Sequence, residues 1–372
     1  MHSKSRVCRI EENPMKKRVL SLMLAILMLC SFLPQFTLPA NAEEAYSGTC
    51  GENLTWRFEP NTGTLTIEGS GPMENYGWVG APWCDFHDKI TTVNLLDGVS
   101  YIGACAFEGC SSLMSVTIPD SVTGIGDGAF QECCLLKHMI IPASVTDIAY
   151  YAFGWGWIAE NGEADRVEDF IIYGIAGTAA ENYAKNEGFE FVPLDPNSGF
   201  CDVDSNGFYY DAMLWAVQNG VTNGTSDVEF SPEESCLRAQ VVTFLWRAKG
   251  KLQPTIADIP FVDAIPTEYY YDPVRWALEN EITNGTDAVH FAPDSPCTRA
   301  QVVTFLWRTF GSPEPEQTEN PFVDVKDDYY YKAVLWAVEQ GITNGTDETH
   351  FSPEETCTRC QVVSFLYRQQ NN

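Results

Sequence analysis

The C-terminal half of this chain writes one block of residues three times, and that repetition constrains the fold more than any other feature. Phe200, Phe261 and Phe322 open the blocks at steps of 61 and 61, and Asp202, Asp263 and Asp324 follow two positions later. Each block then carries a tyrosine cluster, a Trp-Ala pair, a Thr-Asn-Gly-Thr turn, a Phe-x-Pro, a Cys-x-Arg and a Phe-Leu-(Trp/Tyr)-Arg. Copying this strict at a fixed period means one supersecondary unit used three times. Such an array points to binding or anchoring before it points to catalysis.

Each unit reads as two helices. In the middle copy Asp272 precedes Pro273, an N-cap with proline at the first helical position, and Val274, Ala277, Leu278 and Ile282 form an apolar face at helical spacing. Gly220 and Gly341 supply left-handed stops where the middle copy has Glu281. The second helix opens on a capping box, Thr298 with Gln301 and Thr358 with Gln361. Leu237 breaks that box in the first copy, although Gln240 remains. Trp215, Trp276 and Trp336, beside Ala in mid-helix, read as core. The tyrosines at 209–210, 269–271 and 329–331 read as partly exposed surfaces for sugar rings. Pro-rich connectors over 253–260 and 312–321 leave the units free to pack around a pseudo-threefold axis.

The capping boxes do not explain Arg238, Arg299 and Arg359. A cation on an exposed first turn opposes the helix dipole, so arginine in all three copies asks for an anionic partner, which free backbone N–H groups at the same helix end would help to hold. That partner is either a bound ligand or a local carboxylate such as Asp202, Asp263 or Asp324.

A second repeat, of period 23, runs from Val93 to Phe153. Ile102, Ile125 and Ile148 line up, as do Phe107, Phe130 and Phe153. Alternating apolar pairs before Pro119 and Pro142 read as short strands, and coils this small must stack to share a core. Ser47 to Ile67 reads as a hairpin with its turn at Asn61 to Gly63. An insertion between Gly154 and Asp169 holds Trp155 and Trp157, either a cap or an exposed binding edge. Thr178 and Glu181 make a capping box for a helix that Gly188 closes, followed by an apolar strand at Phe189 to Val192.

Residues 1–42 have the form of a cleaved export signal: Lys16, Lys17 and Arg18, an apolar run from Val19 to Leu33, then Ala40-Asn41-Ala42. Cleavage takes 6 of the 22 basic residues and 2 of the 51 acidic ones, leaving 16 against 49 and a formal charge of −33. So acidic a chain argues against nucleic acid as a partner, while a local basic pocket still acts within a Debye length of about 8 Å. Eleven of the 13 cysteines remain. Cys236, Cys297 and Cys357 recur once per unit and read as small buried apolar residues; Cys110 and Cys133 are either free or bridged across adjacent coils.

Two resemblances follow from these residues. Ile118-Pro119-Asp120-Ser121-Val122-Thr123-Gly124-Ile125-Gly126 resembles the BspA-like leucine-rich repeats. The sequences Leu237-Arg238-Ala239-Gln240, Thr298-Arg299-Ala300-Gln301 and Thr358-Arg359-Cys360-Gln361 resemble the Thr-Arg-Ala-Glu signature of the S-layer homology domain, with Gln for Glu in every copy. The likeness implies a multidomain chain: a short β-rich leucine-rich-repeat solenoid (α+β), then an all-α pseudo-trimer of three repeats. The expected segments are a signal peptide (1–42), an N-terminal β cap (43–92), the leucine-rich repeats with their C-terminal cap (93–194), and repeats at 198–252, 259–312 and 320–372. It further implies an exported protein of the bacterial cell surface, held non-covalently on acidic, often pyruvylated, secondary cell-wall polysaccharide. Arg238, Arg299 and Arg359, with Asp202, Asp263 and Asp324, are the binding candidates, and the solenoid is left to engage host or neighbouring-cell proteins. No cofactor, metal or membrane span after cleavage is expected.

No catalytic constellation emerges. His290 and His350 share one site where the first copy has Glu229, and no metalloprotease, phosphate-loop or nucleophile-elbow motif occurs. The expectation is a non-enzyme; the alternatives are a structural S-layer component and an enzyme of unrecognised type.

Overall fold

The computed structural model describes residues 45–77, 80–158 and 164–371, so the signal segment lies outside the described residues. The chain opens as an antiparallel meander, Tyr46–Gly51, Leu54–Glu59 and Thr64–Gly69, whose second turn closes where Gly63, at φ 66°, donates to Glu59 O over 2.9 Å. Its last strand pairs in parallel with Thr92–Leu95, and that strand with Ser115–Thr117. A second parallel stack holds Gly71–Pro72, Val99–Ile102, Gly124–Ile125 and Asp147–Ile148. The 23-residue step is the register itself: Val93 faces Val116, and Ile102 faces Ile125, which faces Ile148.

Between the stacks runs a column of aromatic rings. The Phe107 and Phe130 rings stack at 4.9 Å, and Trp83 covers the open end 5.4 Å from Phe107 while its indole N–H donates to Ala106 O. At the other end Ile171–Gly174 lies between His138–Ile141 and Glu190–Pro193, and helix α1 (Ala179–Glu187) packs on the sheet and ends at Gly188, φ 70°. The capping box expected at Thr178 is not formed. Its hydroxyl donates to Ile175 O, and Glu181 instead accepts the N–H of Gly177. In the insertion, Trp155–Ile158 pairs with Ala164–Arg166; Trp155 is buried with the Arg166 guanidinium 5.2 Å from its ring, so that tryptophan is a cap. The Trp157 side chain lies outside the described residues.

The three units fold as six helices: α2 (Tyr210–Gln218) with α3 (Arg238–Ala248), α4 (Tyr271–Glu279) with α5 (Arg299–Thr309), and α6 (Tyr331–Glu339) with α7 (Arg359–Asn371). One apolar cluster runs through all three units. The outer helices hand over in a cycle, since α4 lies on α3, α6 on α5, and α2 on α7. Helix α4 starts at Tyr271, so Asp272 is inside the first turn rather than its cap; it pairs with Arg275 over 2.9 Å. Glu281 takes the left-handed stop itself at φ 57°, beside 63° at Gly220 and 61° at Gly341. Trp276 and Trp336 are buried, and Trp215 is only partly so. The connectors are tied down: the Trp246 and Trp307 indoles donate to Leu252 O and Pro313 O, and Glu339 accepts the N–H of Glu316.

At the centre of the units three cysteines meet. The N–H of Cys236 donates to Cys357 O at 2.8 Å, Cys297 to Cys236 O at 2.9 Å and Cys357 to Cys297 O at 2.9 Å, a closed ring of backbone hydrogen bonds. No larger residue type recurs there because each side chain is wholly buried. All eleven cysteines of the described residues are free thiols.

Candidate functional site

The signature arginines are not on exposed turns. Arg238, Arg299 and Arg359 are 3%, 3% and 2% exposed, because each helix start is inserted into the neighbouring unit. The Nε of Arg238 donates to Phe291 O, that of Arg299 to Phe351 O and that of Arg359 to Phe230 O, each at 2.9 Å. Two phenylalanine rings of the receiving unit flank each guanidinium: Phe291 and Phe305 at 5.0 and 5.2 Å from Arg238, Phe351 and Phe365 at 5.0 and 5.5 Å from Arg299, Phe230 and Phe244 at 5.2 and 5.5 Å from Arg359. Cation–π contact takes the place of a counter-ion. Burial pulls all three guanidiniums below their usual pKa range.

Nor are the N–H groups at these helix ends free for an anion. The N–H of Arg238 donates to Ser295 O, that of Arg299 to Glu355 O and that of Arg359 to Glu234 O; the next residues, Ala239, Ala300 and Cys360, donate to Pro293 O, Pro353 O and Pro232 O. The donors that a helix start leaves open are spent on the neighbouring unit. Gln240, Gln301 and Gln361 each accept the N–H three residues before them. Thr298 completes its box by accepting from Gln301 N–H. Leu237 has no oxygen to accept with, so half of the first box survives.

Asp202, Asp263 and Asp324 do not pair with the arginines. Their carboxylates accept paired backbone N–H groups at 2.7 to 2.9 Å, from Phe230 and Ser231, from Phe291 and Ala292, and from Phe351 and Ser352. The second residue of each pair sits in the left-handed region at φ 56°, 59° and 57°. Charge-assisted bonds hold that strained turn, and the turn presents the phenylalanine carbonyl that receives the arginine. The aspartates thus act one step behind the site.

The outer end of the Arg359 guanidinium looks into a groove, and the repeat sets Arg238 and Arg299 at the equivalent places. The groove, of about 410 Å³, is lined by Arg359 of the third unit, by Thr222 to Thr225, Gln240 and Arg247 of the first, and by Tyr269 of the second. All three units contribute to it. Arg359 Nη2 lies 3.4 Å from Thr222 Oγ1, and in the copy built around Arg299, Nη1 lies 3.4 Å from Gln361 Oε1. The Thr-Asn-Gly-Thr turn needs its glycine: Gly224 has φ 90°, and a Cβ there would stand 2.4 Å from Glu229 O.

A second cation in this groove, Arg247, went unassigned in the sequence, as did its counterparts in the other two units. Arg247, Arg308 and Arg368, from the Phe-Leu-(Trp/Tyr)-Arg, donate to Val221 O, Ile282 O and Ile342 O at 3.2, 3.1 and 2.8 Å, which leaves the rest of each half-buried guanidinium open. The signal was their spacing. Nine positions separate Arg238 from Arg247, about two and a half helical turns, so one helix serves two grooves from opposite faces. Neither set of arginines makes an ion pair with a carboxylate among the described residues. The tyrosine clusters split by position: Tyr269 and Tyr329 are exposed, whereas Tyr209, Tyr270 and Tyr330 are buried. Among the described residues no His/Cys/Asp/Glu group is arranged to hold a metal ion, and no helix is long and apolar enough to cross a membrane.

Comparison with known proteins finds a match for each half of the chain. The model of the BspA type leucine rich repeat region matches residues 84–156, and that of the S-layer homology domain matches 199–242, 260–303 and 321–362. The chain is 28% identical over 187 residues to a surface-layer 125 kDa protein of Lysinibacillus sphaericus, covering 49% of this chain and 16% of that protein. It is 34% identical over 109 residues to an endoglucanase of a Bacillus species, covering 29% of this chain and 11% of that protein. It therefore spans only a small part of the curated relatives it matches. A leucine-rich repeat protein of Eubacterium ventriosum is similar at 21% identity, over 44% of this chain and 51% of that one, with a TM-score of 0.26.

Proposed function

Given a chain that carries a BspA-type leucine-rich repeat region followed by three S-layer homology domains, we propose that it is a non-catalytic protein of the bacterial cell surface. Its helical units close as a pseudo-trimer and grip acidic secondary cell-wall polysaccharide, with pyruvyl ketals among the charged groups they take. The stacked coils form a solenoid that displays a surface to host or neighbouring-cell proteins. The observation that carries the anchoring half is the pairing of Arg359 and Arg247 in one groove, neither in an ion pair with a carboxylate among the described residues, in a chain that is otherwise strongly acidic. An unmatched, partly desolvated pair of cations favours a multiply bonded oxyanion.

The test is sedimentation of the mature chain with purified wall sacculi before and after chemical removal of the acidic substituents. Binding that disappears with the substituents supports the reading, and undiminished binding refutes it. A structural role in a surface layer is the second reading, favoured by the likeness to a surface-layer protein. Concentration-dependent lattices of the mature chain support that role; a persistent monomer supports display.

A further inference from the structure

The three grooves are built alike but not furnished alike. The repeat assigns one exposed aromatic residue to each, from position 208, 269 or 329. Tyr269 lines the groove of Arg359 and Arg247, and one repeat further on Tyr329 holds the same position relative to Arg238 and Arg308. By the same repeat, the groove of Arg299 and Arg368 receives Phe208.

Phe208 is posed as its counterparts are. Its ring meets buried Tyr209 edge-on at 5.6 Å and 86°, where Tyr269 meets Tyr270 at 5.3 Å and 83°, and Tyr329 meets Tyr330 at 5.1 Å and 89°. All three residues are more than half exposed, at 66%, 55% and 51%. The Tyr269 and Tyr329 hydroxyls have no hydrogen-bond partner among the described residues, so each is open to a ligand. Phe208 has no hydroxyl to offer. The same groove also has Ser364 where the others have Thr243 and Thr304, each bonded to the carbonyl four residues back at 2.7 Å.

We propose that position 208/269/329 sets groove affinity: Tyr269 and Tyr329 each donate a hydrogen bond to the bound acidic sugar, and the Arg299–Arg368–Phe208 groove is the weak member. This rests on the reading of the grooves as polysaccharide sites. A hydrogen bond to a charged acceptor is the missing term, and its absence corresponds to about a tenfold weaker site.

Titration calorimetry on the mature chain tests it, with short acidic oligosaccharides cut from purified wall polysaccharide as the probe, so that each groove fills separately. Two tighter sites and one about tenfold weaker are expected. Phe208→Tyr raises the weak site to the level of the others, and Tyr269→Phe and Tyr329→Phe each convert one tight site to a weak one. None of the three shifts the melting temperature, since the hydroxyls have no internal partner and tyrosine already fits the position in two copies. Three equal sites in the wild type, or a Phe208→Tyr variant with an unchanged isotherm, overturns the inference and leaves polysaccharide binding standing. No heat from the wild-type chain overturns both.

Discussion

Arg299 is bound to Phe351 twice, through a 2.9 Å hydrogen bond from Nε to the backbone carbonyl and through a guanidinium held 5.0 Å from the ring centroid. The two residues belong to different units. One residue therefore serves the interface between units and the proposed groove, so on that proposal ligand binding and the stability of the array are linked.

Arg299→Ala is accordingly expected to cost both. It leaves the Phe351 carbonyl unpaired and opens a space between two rings, offset in part by relief of a buried, unneutralised charge. The net loss is about 1–3 kcal/mol, a drop of about 3–10 °C in melting temperature for a domain of this size. Arg299→Lys falls between, because an ammonium cannot stack and fork as a guanidinium does. An unchanged melting curve for Arg299→Ala would show that the buried contacts carry no net stability.

Asp263 is expected to matter to a groove it does not line. Asp263→Ala removes two charge-assisted bonds from the Phe291–Ala292 turn, about 2–4 kcal/mol, and frees the carbonyl that seats Arg238. Denaturant unfolding should show the loss, with Asp263→Asn recovering part of it. Equal stability of the alanine and wild-type proteins would contradict the account of the turn.

Arg247 separates binding from folding. It is half-buried and spends one bond on Val221 O, so Arg247→Gln is expected to lower stability by no more than about 1 kcal/mol while weakening wall binding and flattening its dependence on salt. Sacculus sedimentation from low to high ionic strength measures this. A salt dependence identical to wild type would remove Arg247 from the site.

The thiols provide a solution check of the fold. Burial pushes Cys110 and Cys297 up to about 12, so in the native protein at pH 8 both should resist iodoacetamide, together with Cys133, Cys236 and Cys357. Cys84 and Cys134 are exposed and should be labelled first. Cys297 alkylated as fast as Cys84 without denaturant would place the cysteine ring wrongly.

Much of this was legible in the residues. The 61-residue and 23-residue periods locate the units and coils, and the Thr298–Gln301 box marks a helix start to the residue. What periodicity cannot carry is which copy lies beside which. Arg359, Arg247 and Tyr269 are far apart in sequence, and each sits in a different unit, so no single repeat shows the groove they share. The same blindness made the arginines look exposed: within one unit the first turn of α5 faces outward, and only the neighbouring Phe351 turn covers it. Thr178 failed for a local reason, since the Ile175 carbonyl offered its hydroxyl a closer partner than the helix N–H groups did.

The closed cycle of Cys236, Cys297 and Cys357 has a consequence for how such a chain can change. In a linear stack a copy can be added or dropped at either end and the remaining interfaces persist. Here the last copy docks on the first, so removing one would strip Phe230 from Arg359 or its equivalents and leave every groove without one of its three contributors. Copy number is therefore not a quantity that single insertions or deletions can adjust. Variation has to enter by exchanging residues within a fixed set of three, as the phenylalanine at position 208 already does.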